Sequence, residues 1–412
     1  MVKESKIINV AVIGVSQRGL GLIDCLNNMD DVRVTVVCDL YEDRMENASN
    51  AILEKCGYKP SCCKDYREVV QRKDVDCVII STAWSAHINI AIASMKAGKP
   101  VGMEVGGAYS IQECWDLVKV KEETGVEFMM LENCCYGREE LTVLNMVKQG
   151  LFGEIIHCQG GYQHDLRSEI AMGLENRHYR FRNYQHRNGE VYPTHELGPI
   201  AKYLDINRGN RFLTLTSMAS KARGLREWII RNKGPEHEHA KIEFTQGDIV
   251  TTMIKCAHGE TILLIHDTTL PRVYSRGGRV QGTKGIWMED KSAVYIEGIS
   301  PYETWEPFEN YLEKYEHPLW VEFRKTGVQG GHGGMDFLVL RAFVESVKNN
   351  TPPPIDVYDA ATWMTVTCLS EESIAMGSIP VAFPDFTNGK WINREEEKPS
   401  KYALSKVFYE CF

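Results

Sequence analysis

The sequence of 412 residues predicts an α/β protein with two domains, and two patterns carry that prediction. Residues 1–135 alternate apolar runs with amphipathic stretches, which predicts a doubly wound parallel sheet covered by helices on both faces. After residue 135, apolar residues alternate with polar ones and glycines interrupt them, which predicts an α+β domain with an open, mostly antiparallel sheet. We therefore place the second domain at residues 136–412.

The first domain contains five short, continuous apolar runs, the pattern of strands that are buried on both faces. These strands are predicted at Ile7–Ile13, Val32–Cys38, Cys77–Ser81, Val101–Glu104 and Phe128–Leu131. Helices are predicted between them at Arg18–Met29, Glu42–Lys55, His87–Ala97 and Ile111–Thr124. A helix at Tyr136–Gln149, which Gly150 ends, opens the second domain.

The second domain contains six segments with strand-like composition. They are residues 153–163, 212–219, 248–257, 261–268, 273–283 and 292–297. Residues 164–211 are polar and rich in Arg, His, Tyr and Asn, which predicts a long loop, and loops of that length usually carry function. Helices are predicted at Phe337–Lys348 and Asp359–Ser378, and we expect the second of these to pack back on the body.

Composition excludes several classes of function. Hydrophobic content of 43% and charged content of 25% are typical of a globular protein, and the net charge of −9 argues against nucleic-acid or anionic-membrane partners. The thirteen cysteines form no C-x-x-C motif, and Cys62-Cys63 and Cys134-Cys135 are adjacent, so we predict neither disulfides nor a metal site. His237 and His239 lie among glutamates, where a solvated loop is the favoured interpretation.

The N-terminal residues lead directly from Met1 into the first strand without an apolar signal region. No apolar run reaches the length of a membrane span. We therefore expect a cytoplasmic protein, although the sequence leaves open whether an export signal was removed. It also leaves open whether the protein forms a homo-oligomer.

The first strand-to-helix turn reads G-V-S-Q-R-G over residues 14–19, a variant of the dinucleotide fingerprint G-x-G-x-x-G. Gly14 permits the tight turn, Gly19 permits close helix–strand contact, and the helix N-terminus can bind a pyrophosphate. Asp39 ends the next strand, where a carboxylate accepts ribose hydroxyls and disfavours a 2′-phosphate. The pattern predicts a Rossmann domain that binds NAD. Because Ser16 narrows the approach to the pyrophosphate, a domain without a nucleotide is the alternative.

Two segments depart from the pattern of dehydrogenases. Residues 98–106 resemble a segment of sugar dehydrogenases of the glucose–fructose oxidoreductase family (Gfo/Idh/MocA), in which a Glu-Lys-Pro triplet supplies a lysine for proton transfer. Here the triplet reads Glu104-Val105-Gly106, and valine cannot move a proton. A gapless alignment at Gly189 places Pro193 and Leu197 where that family has Asp and His, and neither residue titrates. The chain therefore keeps the cofactor pattern without the residues of net oxidation.

Five further segments carry a more specific resemblance. They read MLENCCYG over 130–137, YQHDLR over 162–167, YPTHELGP over 192–199, NRG over 207–209 and GGHGGMD over 330–336. Together they resemble glycoside hydrolase family 109, the NAD-dependent α-N-acetylgalactosaminidases of the Gfo/Idh/MocA superfamily. The resemblance covers nearly the whole chain. Gly106-Gly107 departs from that family's pattern of a small residue and a proline, which bears on sugar preference.

The resemblance implies a glycosidase that uses tightly bound, recycled NAD+. In that chemistry carbon 3 of the sugar is oxidised, a base removes the carbon 2 proton, the aglycone leaves carbon 1, water adds, and the ketone is reduced again. The implied substrates are α-N-acetylgalactosaminides, and wider specificity for α- and β-glycosides stays open. The alternatives are an NAD-dependent sugar or cyclitol oxidoreductase and a non-catalytic sensor.

The resemblance, together with the fingerprint, also implies roles for individual residues. The catalytic candidates are Tyr192, His195 and His332. The candidates for sugar binding are Glu132, Tyr162, Arg180 and Tyr274. The candidates for cofactor binding are Gly14, Ser16, Gln17, Arg18, Gly19, Asp39, Trp84, His87, Glu104, Asn133 and His164. The alternatives are that Glu132 caps the following helix and that Arg180 is an ordinary ion-pair partner.

Overall fold

Two β-sheets with flanking helices make up the protein in the computed structural model, which describes residues 7–394 and 397–412. The first six residues, on which the expectation about an export signal rests, lie outside the described residues. No helix in the described ranges is long and apolar enough to cross a membrane. The predicted fold class is confirmed, while the domain boundary after residue 135 stays a prediction.

The N-terminal sheet has six parallel strands. They are β1 (Ile8–Ile13), β2 (Val32–Cys38), β3 (Ser61–Cys63), β4 (Cys77–Ile80), β5 (Val101–Met103) and β6 (Phe128–Met130). The helices between them are α1 (Gln17–Leu26), α2 (Glu42–Cys56), α3 (Tyr66–Gln71), α4 (Trp84–Lys96) and α5 (Ile111–Thr124). The strand order is β3-β2-β1-β4-β5-β6, so the order reverses between β1 and β4, which leaves a ligand crevice at the carboxyl ends.

The second sheet has nine strands in the described residues. They are β7 (Ile155–Gln163), β8 (Phe212–Ala219), β9 (Ile249–Cys256), β10 (Thr261–Asp267), β11 (Arg279–Gly282), β12 (Gly285–Met288), β13 (Ala293–Ile296), β14 (Glu306–Pro307) and β15 (Val381–Ala382). Their order is β14-β13-β12-β11-β7-β10-β9-β8-β15, antiparallel except for the parallel pair β7 and β10. Burial alternates along β9 and β10, because one face packs on helices and the other faces outward.

Nine helices accompany this sheet in the described part of the chain. They are α6 (Arg138–Lys148), α7 (Arg167–Ala171), α8 (Arg180–His186), α9 (Thr194–Tyr203), α10 (Gly224–Lys233), α11 (Glu309–Tyr315), α12 (Pro318–Thr326), α13 (Met335–Asn349) and α14 (Val357–Ala375). Helix α14 packs against α5 and β6 of the first layer and against β8 of the second sheet. Helix α9 packs on β7 and on a 3-10 turn at Asn133–Tyr136. These contacts bring the carboxyl ends of β4, β5 and β7 to one side.

Two predictions about the second domain are wrong. Residues 164–211 are not a loop, because α7, α8 and α9 lie within them; these helices are short, and α9 contains Pro199, so the sequence gives little periodic signal. The strand predicted at 273–283 is limited to β11. Gly277 has a φ of +61°, which ends regular pairing before β11, although the Ser275 N–H still donates to the Gln163 carbonyl at 2.9 Å.

Candidate functional site

An elongated site lies where the carboxyl ends of β1, β4 and β5 face the end of β7. A cavity of about 740 Å³ lies beside β7, and a second of about 640 Å³ extends past the ends of β1 and β2. Both cavities have Ser16, Thr82 and Tyr179 in their walls, so they form one continuous trough. Each has the volume typical of a small-molecule or cofactor site.

The turn at residues 14–19 is built for close approach of the backbone. Gly14 has a φ of +90°, and a Cβ there would lie 2.4 Å from the Ser81 carbonyl oxygen. A Cβ at Gly19 would lie 2.2 Å from the Gly14 carbonyl oxygen. Ser16 precedes α1 in an extended conformation and its side chain makes no capping hydrogen bond, so the first N–H groups of α1 can bind an anion.

Asp39 lies in the wall of the smaller cavity. Its two carboxylate oxygens accept the N–H groups of Val15 at 2.9 Å and Tyr41 at 3.1 Å, which fixes the orientation of the carboxylate. Each oxygen keeps a lone pair that can accept a hydrogen bond from a hydroxyl group. This geometry fits the adenosine ribose of NAD, and the negative charge disfavours the 2′-phosphate of NADP.

Asp39→Asn is expected to weaken NAD+ binding about 10-fold and to reduce the preference for NAD+ over NADP+. The substitution removes a charged hydrogen-bond acceptor, which contributes about 1.5–3 kcal/mol, and removes the charge that opposes a phosphate. Titration calorimetry with both dinucleotides measures both effects. The matched control is Asp24→Asn, which removes an exposed carboxylate of α1 that pairs with Lys55 at 2.6 Å and lines neither cavity. An unchanged NAD+/NADP+ ratio in Asp39→Asn contradicts the assignment.

A charged network closes the other end of the trough. The Asp336 carboxylate accepts Arg18 at 2.7 and 3.0 Å, the Asn133 amide at 2.8 Å and His332 Nδ1 at 2.8 Å. Arg18 also donates to Glu104 at 2.7 and 2.9 Å. The network joins the N-termini of α1 and α13 to the end of β5.

His332 lies at the mouth of the larger cavity, and 59% of its side chain is exposed. The hydrogen bond to Asp336 raises the pKa of His332 above its usual 6.5. Burial acts to raise the pKa of Asp336, but His332 and Arg18 outweigh it and hold that pKa well below its usual range. A rim imidazole that holds its proton in this way can serve as an acid.

Three ring side chains meet in the wall of the larger cavity. The ring centroids of Tyr162 and Tyr192 are 4.5 Å apart. The ring centroid of His195 lies 5.3 Å from that of Tyr162 and 4.9 Å from that of Tyr192. Tyr162 comes from the end of β7, whereas His195 is in the first turn of α9. The Arg180 guanidinium from α8 lies 5.0 Å from the Tyr192 ring and 5.9 Å from the Tyr162 ring.

His195 is oriented by a buried carboxylate. Its Nδ1 lies 2.8 Å from Glu132 Oε1, and Glu132 is fully buried. Burial acts to raise the pKa of Glu132, but the charge and hydrogen bond of His195 outweigh it and lower that pKa. Since an ionised carboxylate only accepts, Nδ1 of His195 donates, and in the neutral form of the ring Nε2 is the nitrogen that can accept a proton.

The two tyrosines keep their protons at neutral pH. Burial raises the pKa of Tyr162 and of Tyr192 above the usual value, although the charge of Arg180 acts in the opposite direction. The neighbouring His87 is neutral, because burial lowers its pKa to about 4, and its Nε2 lies 2.9 Å from the Thr82 carbonyl. The wall of the larger cavity thus combines phenol donors, imidazole rings and guanidinium cations, of which Arg180 lies against the two tyrosines.

Most of the predicted site residues line one of the two cavities. Those in the walls are Gly14, Ser16, Gln17, Arg18, Asp39, His87, Glu104, Asn133, Tyr162, His164, Arg180, Tyr192, His195 and His332. Gly19 lies at the helix–strand contact behind the turn. The structure thus brings together residues from both sheets into one site.

Three residues that were predicted to contact a ligand directly do not line either cavity. Glu132 is fully buried behind His195, where its Oε1 also caps the 3-10 turn through the Cys134 N–H at 3.0 Å. Trp84 is 3% exposed and packs beneath the wall, with ring centroids 4.7 Å from Tyr179 and 5.6 Å from Tyr192. Tyr274 is at the rim, 49% exposed, against the edge of His164. Glu132 and Trp84 support the wall from behind, because α9 packs on the 3-10 turn that Glu132 caps and because Trp84 begins α4 on its buried face.

Sequence reasoning missed several residues of the site. Tyr179 lines both cavities, Glu169 pairs with Arg180 at 3.0 Å, and Asp336 holds the network at the α1 end. Only Asp336 had a signal, because it ends the glycine-rich segment 330–336, four residues after His332. Tyr179 and Glu169 lie in the segment that was predicted as a loop.

Two groups of side chains in the described residues could hold a metal ion. In the first, Glu132 and His195 already form a hydrogen bond with each other. Burial raises the pKa of Cys134 well above its usual value, so its thiol stays protonated and is a poor metal ligand. The second is Glu175, His237 and His239. The prediction of a solvated loop is wrong for His239, which is 3% exposed and packs against the Phe181 ring.

Comparison with known families decides the class of protein. The profile described as "Glycosyl hydrolase 109, C-terminal domain" matches residues 136–393, and the profile described as "Oxidoreductase family, NAD-binding Rossmann fold" matches residues 8–132. The chain belongs to glycosyl hydrolase family 109. The resemblance found in the sequence, the glycosidase class and the NAD-binding Rossmann domain are thereby confirmed.

Individual relatives agree with the family assignment. An α-N-acetylgalactosaminidase of Tannerella forsythia is 41% identical over 416 residues, covering 95% of this chain and 89% of the relative. A family 109 protein of Stenotrophomonas maltophilia is 44% identical over 412 residues, covering 94% of this chain and 91% of the relative. The scyllo-inositol dehydrogenase of Lactobacillus casei with bound NAD(H) and scyllo-inositol has a TM-score of 0.64 at 14% identity, covering 92% and 99% of the chains. That likeness shows a shared fold.

The family 109 cavity offers no free pair of carboxylates in the described residues that line it. Most glycosidases need two such groups at the scissile bond. The three carboxylates of the larger cavity, Asp43, Glu104 and Glu169, each form an ion pair with an arginine, at 2.6, 2.7 and 3.0 Å. No described lining residue is a lysine, and Val105 follows Glu104 in the wall. The unpaired groups in this wall that can exchange a proton are therefore the phenols and imidazoles.

Proposed function

We propose that this protein hydrolyses α-N-acetylgalactosaminides with tightly bound NAD+ that is regenerated in every turnover. The observation that carries this proposal is the Tyr162, Tyr192 and His195 cluster beside a dinucleotide trough in which each lining carboxylate of the larger cavity is already paired. Membership of family 109 and the name of the Tannerella forsythia relative support the substrate class.

The dinucleotide fits the trough in one direction. Asp39 would hold the adenosine ribose, the N-terminus of α1 at Ser16 and Gln17 the pyrophosphate, and the wall near Glu104, Asn133 and His164 the nicotinamide end. When bound, NAD+ would accept a hydride from carbon 3 of the sugar and return it after the glycosidic bond has broken. Tyr179, in both walls, would exclude water along the trough.

The rings supply the proton transfers that hydrolysis needs. His195, with Nδ1 held by Glu132, would take a proton at carbon 2 through Nε2. Tyr192 would donate a hydrogen bond to the oxygen on carbon 3, and Arg180 would stabilise the negative charge that develops there. The proton of the carbon 3 hydroxyl would pass through the Tyr162 hydroxyl to Nδ1 of His164, 3.2 Å away. Tyr162 would orient the ring, and Tyr274 at the rim would contact the sugar edge or the aglycone.

His332 is suited to the leaving group. Asp336 holds a proton on the imidazole of His332, and the mouth of the cavity is where the aglycone would leave. His332 would therefore protonate the oxygen that departs from carbon 1.

A cytoplasmic location and the absence of nucleic-acid and membrane partners stay predictions from sequence.

Hydrolysis through this cycle predicts a specific isotope pattern. The as-purified protein in heavy water is expected to release nitrophenol from nitrophenyl N-acetyl-α-galactosaminide and to place deuterium on carbon 2 of the product. No sustained NADH absorbance is expected, because the hydride returns to the same sugar. Mass spectrometry, NMR and absorbance at the NADH maximum measure the three results. Nitrophenol release without deuterium at carbon 2 would eliminate the proposed route.

The fold likeness to a dehydrogenase favours a second candidate, an NAD-dependent oxidoreductase acting on a sugar or cyclitol. That function predicts steady NADH accumulation with a free sugar and no nitrophenol from any glycoside.

Because proton removal at carbon 2 depends little on the anomer, a panel of nitrophenyl α- and β-glycosides also measures the breadth of the glycosidase's specificity.

A further inference from the structure

A group of three metal-ligand side chains lies outside the trough. Glu175 is in the segment 172–179 before α8, and His237 and His239 flank the start of a 3-10 turn at Glu238–Lys241. One ligand atom from each side chain lies within 4.8 Å of the others. The segments are about 60 positions apart in sequence, so the fold brings them together.

Both imidazoles have a nitrogen available for a ligand. Nδ1 of the buried His239 has no hydrogen-bond partner within residues 7–394 and 397–412. Nδ1 of His237 accepts the His239 N–H at 3.2 Å, which leaves the Nε2 of His237. An unpartnered buried nitrogen destabilises the fold, and a bound ion would remove that cost.

The surroundings favour a cation. Glu238, whose side chain is 85% exposed, lies between the two histidines and adds negative charge, whereas Glu236 is paired with Lys241 at 3.4 Å. The Phe181 ring lies 4.6 Å from the His239 ring and gives the group an apolar floor. Two imidazoles and a carboxylate form a ligand set that suits zinc and similar divalent transition ions.

The segment that carries Glu175 also covers the cofactor trough. Gly173, Leu174 and Arg177 line the smaller cavity. Arg177 pairs with Asp43 at 2.6 Å and lies 4.3 Å from the ring of Tyr41, across the end of the cavity that contains Asp39. Fixing Glu175 against the 3-10 turn would therefore fix the cover of the adenosine end.

We propose that Glu175, His237 and His239 bind one divalent ion of the zinc class, and that this ion holds the segment 172–179 over the cofactor. Zinc bonds of about 2.0–2.1 Å place ligand atoms about 3.3 Å apart. The ligand atoms here lie within 4.8 Å of one another, so binding would draw the exposed Glu175 and half-buried His237 side chains towards the buried His239. The second half of the proposal rests on the proposed NAD function, whereas the ion site does not.

Zinc titration of the untagged protein after chelator treatment tests the ion site. One high-affinity equivalent is expected by calorimetry, and Co²⁺ is expected to give the visible absorption of a tetrahedral site. Glu175→Gln and His237→Asn should each weaken zinc binding at least 10-fold. Asn at 237 keeps a side-chain acceptor for the 3-10 turn, and circular dichroism checks that both variants fold.

The control is His258→Asn, which removes an exposed imidazole in the turn between β9 and β10 and should leave zinc binding unchanged. No zinc binding by the wild type overturns the site. Equal zinc binding by the wild type and both folded variants also overturns it, since the ion then sits elsewhere, for example at Glu132, Cys134 and His195.

The rate of NAD+ dissociation tests the coupling. Saturating zinc is expected to slow release at least 3-fold in the wild type and to have no effect in His237→Asn. Zinc that binds without slowing release overturns the coupling and leaves the site standing. A chain that binds zinc but no NAD+ refutes the proposed function, and the zinc result is still decided by the variants.

Discussion

His195→Asn is expected to lower kcat for nitrophenyl N-acetyl-α-galactosaminide about 1000-fold while NAD+ stays bound. Acid–base catalysis by one positioned side chain contributes about 10²–10⁴-fold, and the substitution removes the nitrogen that accepts the proton. The asparagine amide can still donate to Glu132, whose Oε1 lies 2.8 Å from Nδ1 of the histidine, so the buried carboxylate keeps a partner. Steady-state kinetics and the NAD content of the purified variant measure the two results.

Glu132→Gln separates orientation from chemistry. The fully buried carboxylate touches the site only through His195, so its removal frees the ring to adopt the other tautomer. We expect kcat to fall about 10–100-fold with KM nearly constant and with an altered pH profile, which a merely structural change would not produce. The control variant His258→Asn should keep the kcat of the wild type. If His195→Asn keeps more than a tenth of the wild-type kcat, His195 is not the catalytic base.

Local pattern was enough to predict the cofactor turn. The six consecutive residues 14–19 are enough to predict that positions 14 and 19 need glycine. A side chain at Gly14 would collide with the Ser81 carbonyl, and one at Gly19 would collide with the Gly14 carbonyl. Asp39 follows from its position after the second strand. Residues of this kind depend on neighbours within one βαβ unit, so periodicity and spacing reveal them.

The partners of the catalytic residues could not be predicted in that way. Glu132 and His195 are 63 positions apart and meet because α9 packs on the 3-10 turn at Asn133–Tyr136. Arg18 and Asp336 are 318 positions apart. The resemblance identified Glu132 as a site residue, but only the packing of α9 shows that it acts from behind His195.

A buried ion cluster accounts for another segment of the sequence resemblance. The Asp359 carboxylate accepts Lys202 Nζ at 2.6 Å and Arg208 at 2.8 and 3.0 Å, and the side chains of Asp359 and Lys202 are 1% and 3% exposed. Lys202 also donates to the Pro354 carbonyl at 2.8 Å. The cluster ties α9, which carries His195, to α14. The segment 207–209 therefore serves structure rather than ligand binding.

Asp359→Asn is expected to lower the free energy of unfolding by about 3–5 kcal/mol, because it leaves Lys202 buried without its counter-charge and leaves Arg208 with Asp356 alone, at 3.1 Å. Guanidinium unfolding followed by circular dichroism measures the shift in midpoint. The control is Glu322→Gln, whose pair with Lys325 has the same 2.6 Å distance but is solvent-exposed. That exposed pair should contribute far less to stability, because solvent screens both of its charges. Equal destabilisation by the two variants contradicts the importance of burial.

The same cluster sets a pH dependence with a definite sign. Burial acts to raise the pKa of Asp359, but Arg208 and Lys202 outweigh it and hold the folded-state pKa well below its usual range. In the unfolded chain the carboxyl takes up a proton near pH 4, so its stabilisation is present above that pH and is lost as the pH falls. The difference in unfolding free energy between wild type and Asp359→Asn should therefore narrow from pH 6 to pH 3. A difference that stays constant over that range would show that the charge of Asp359 is not what stabilises the contact between α9 and α14.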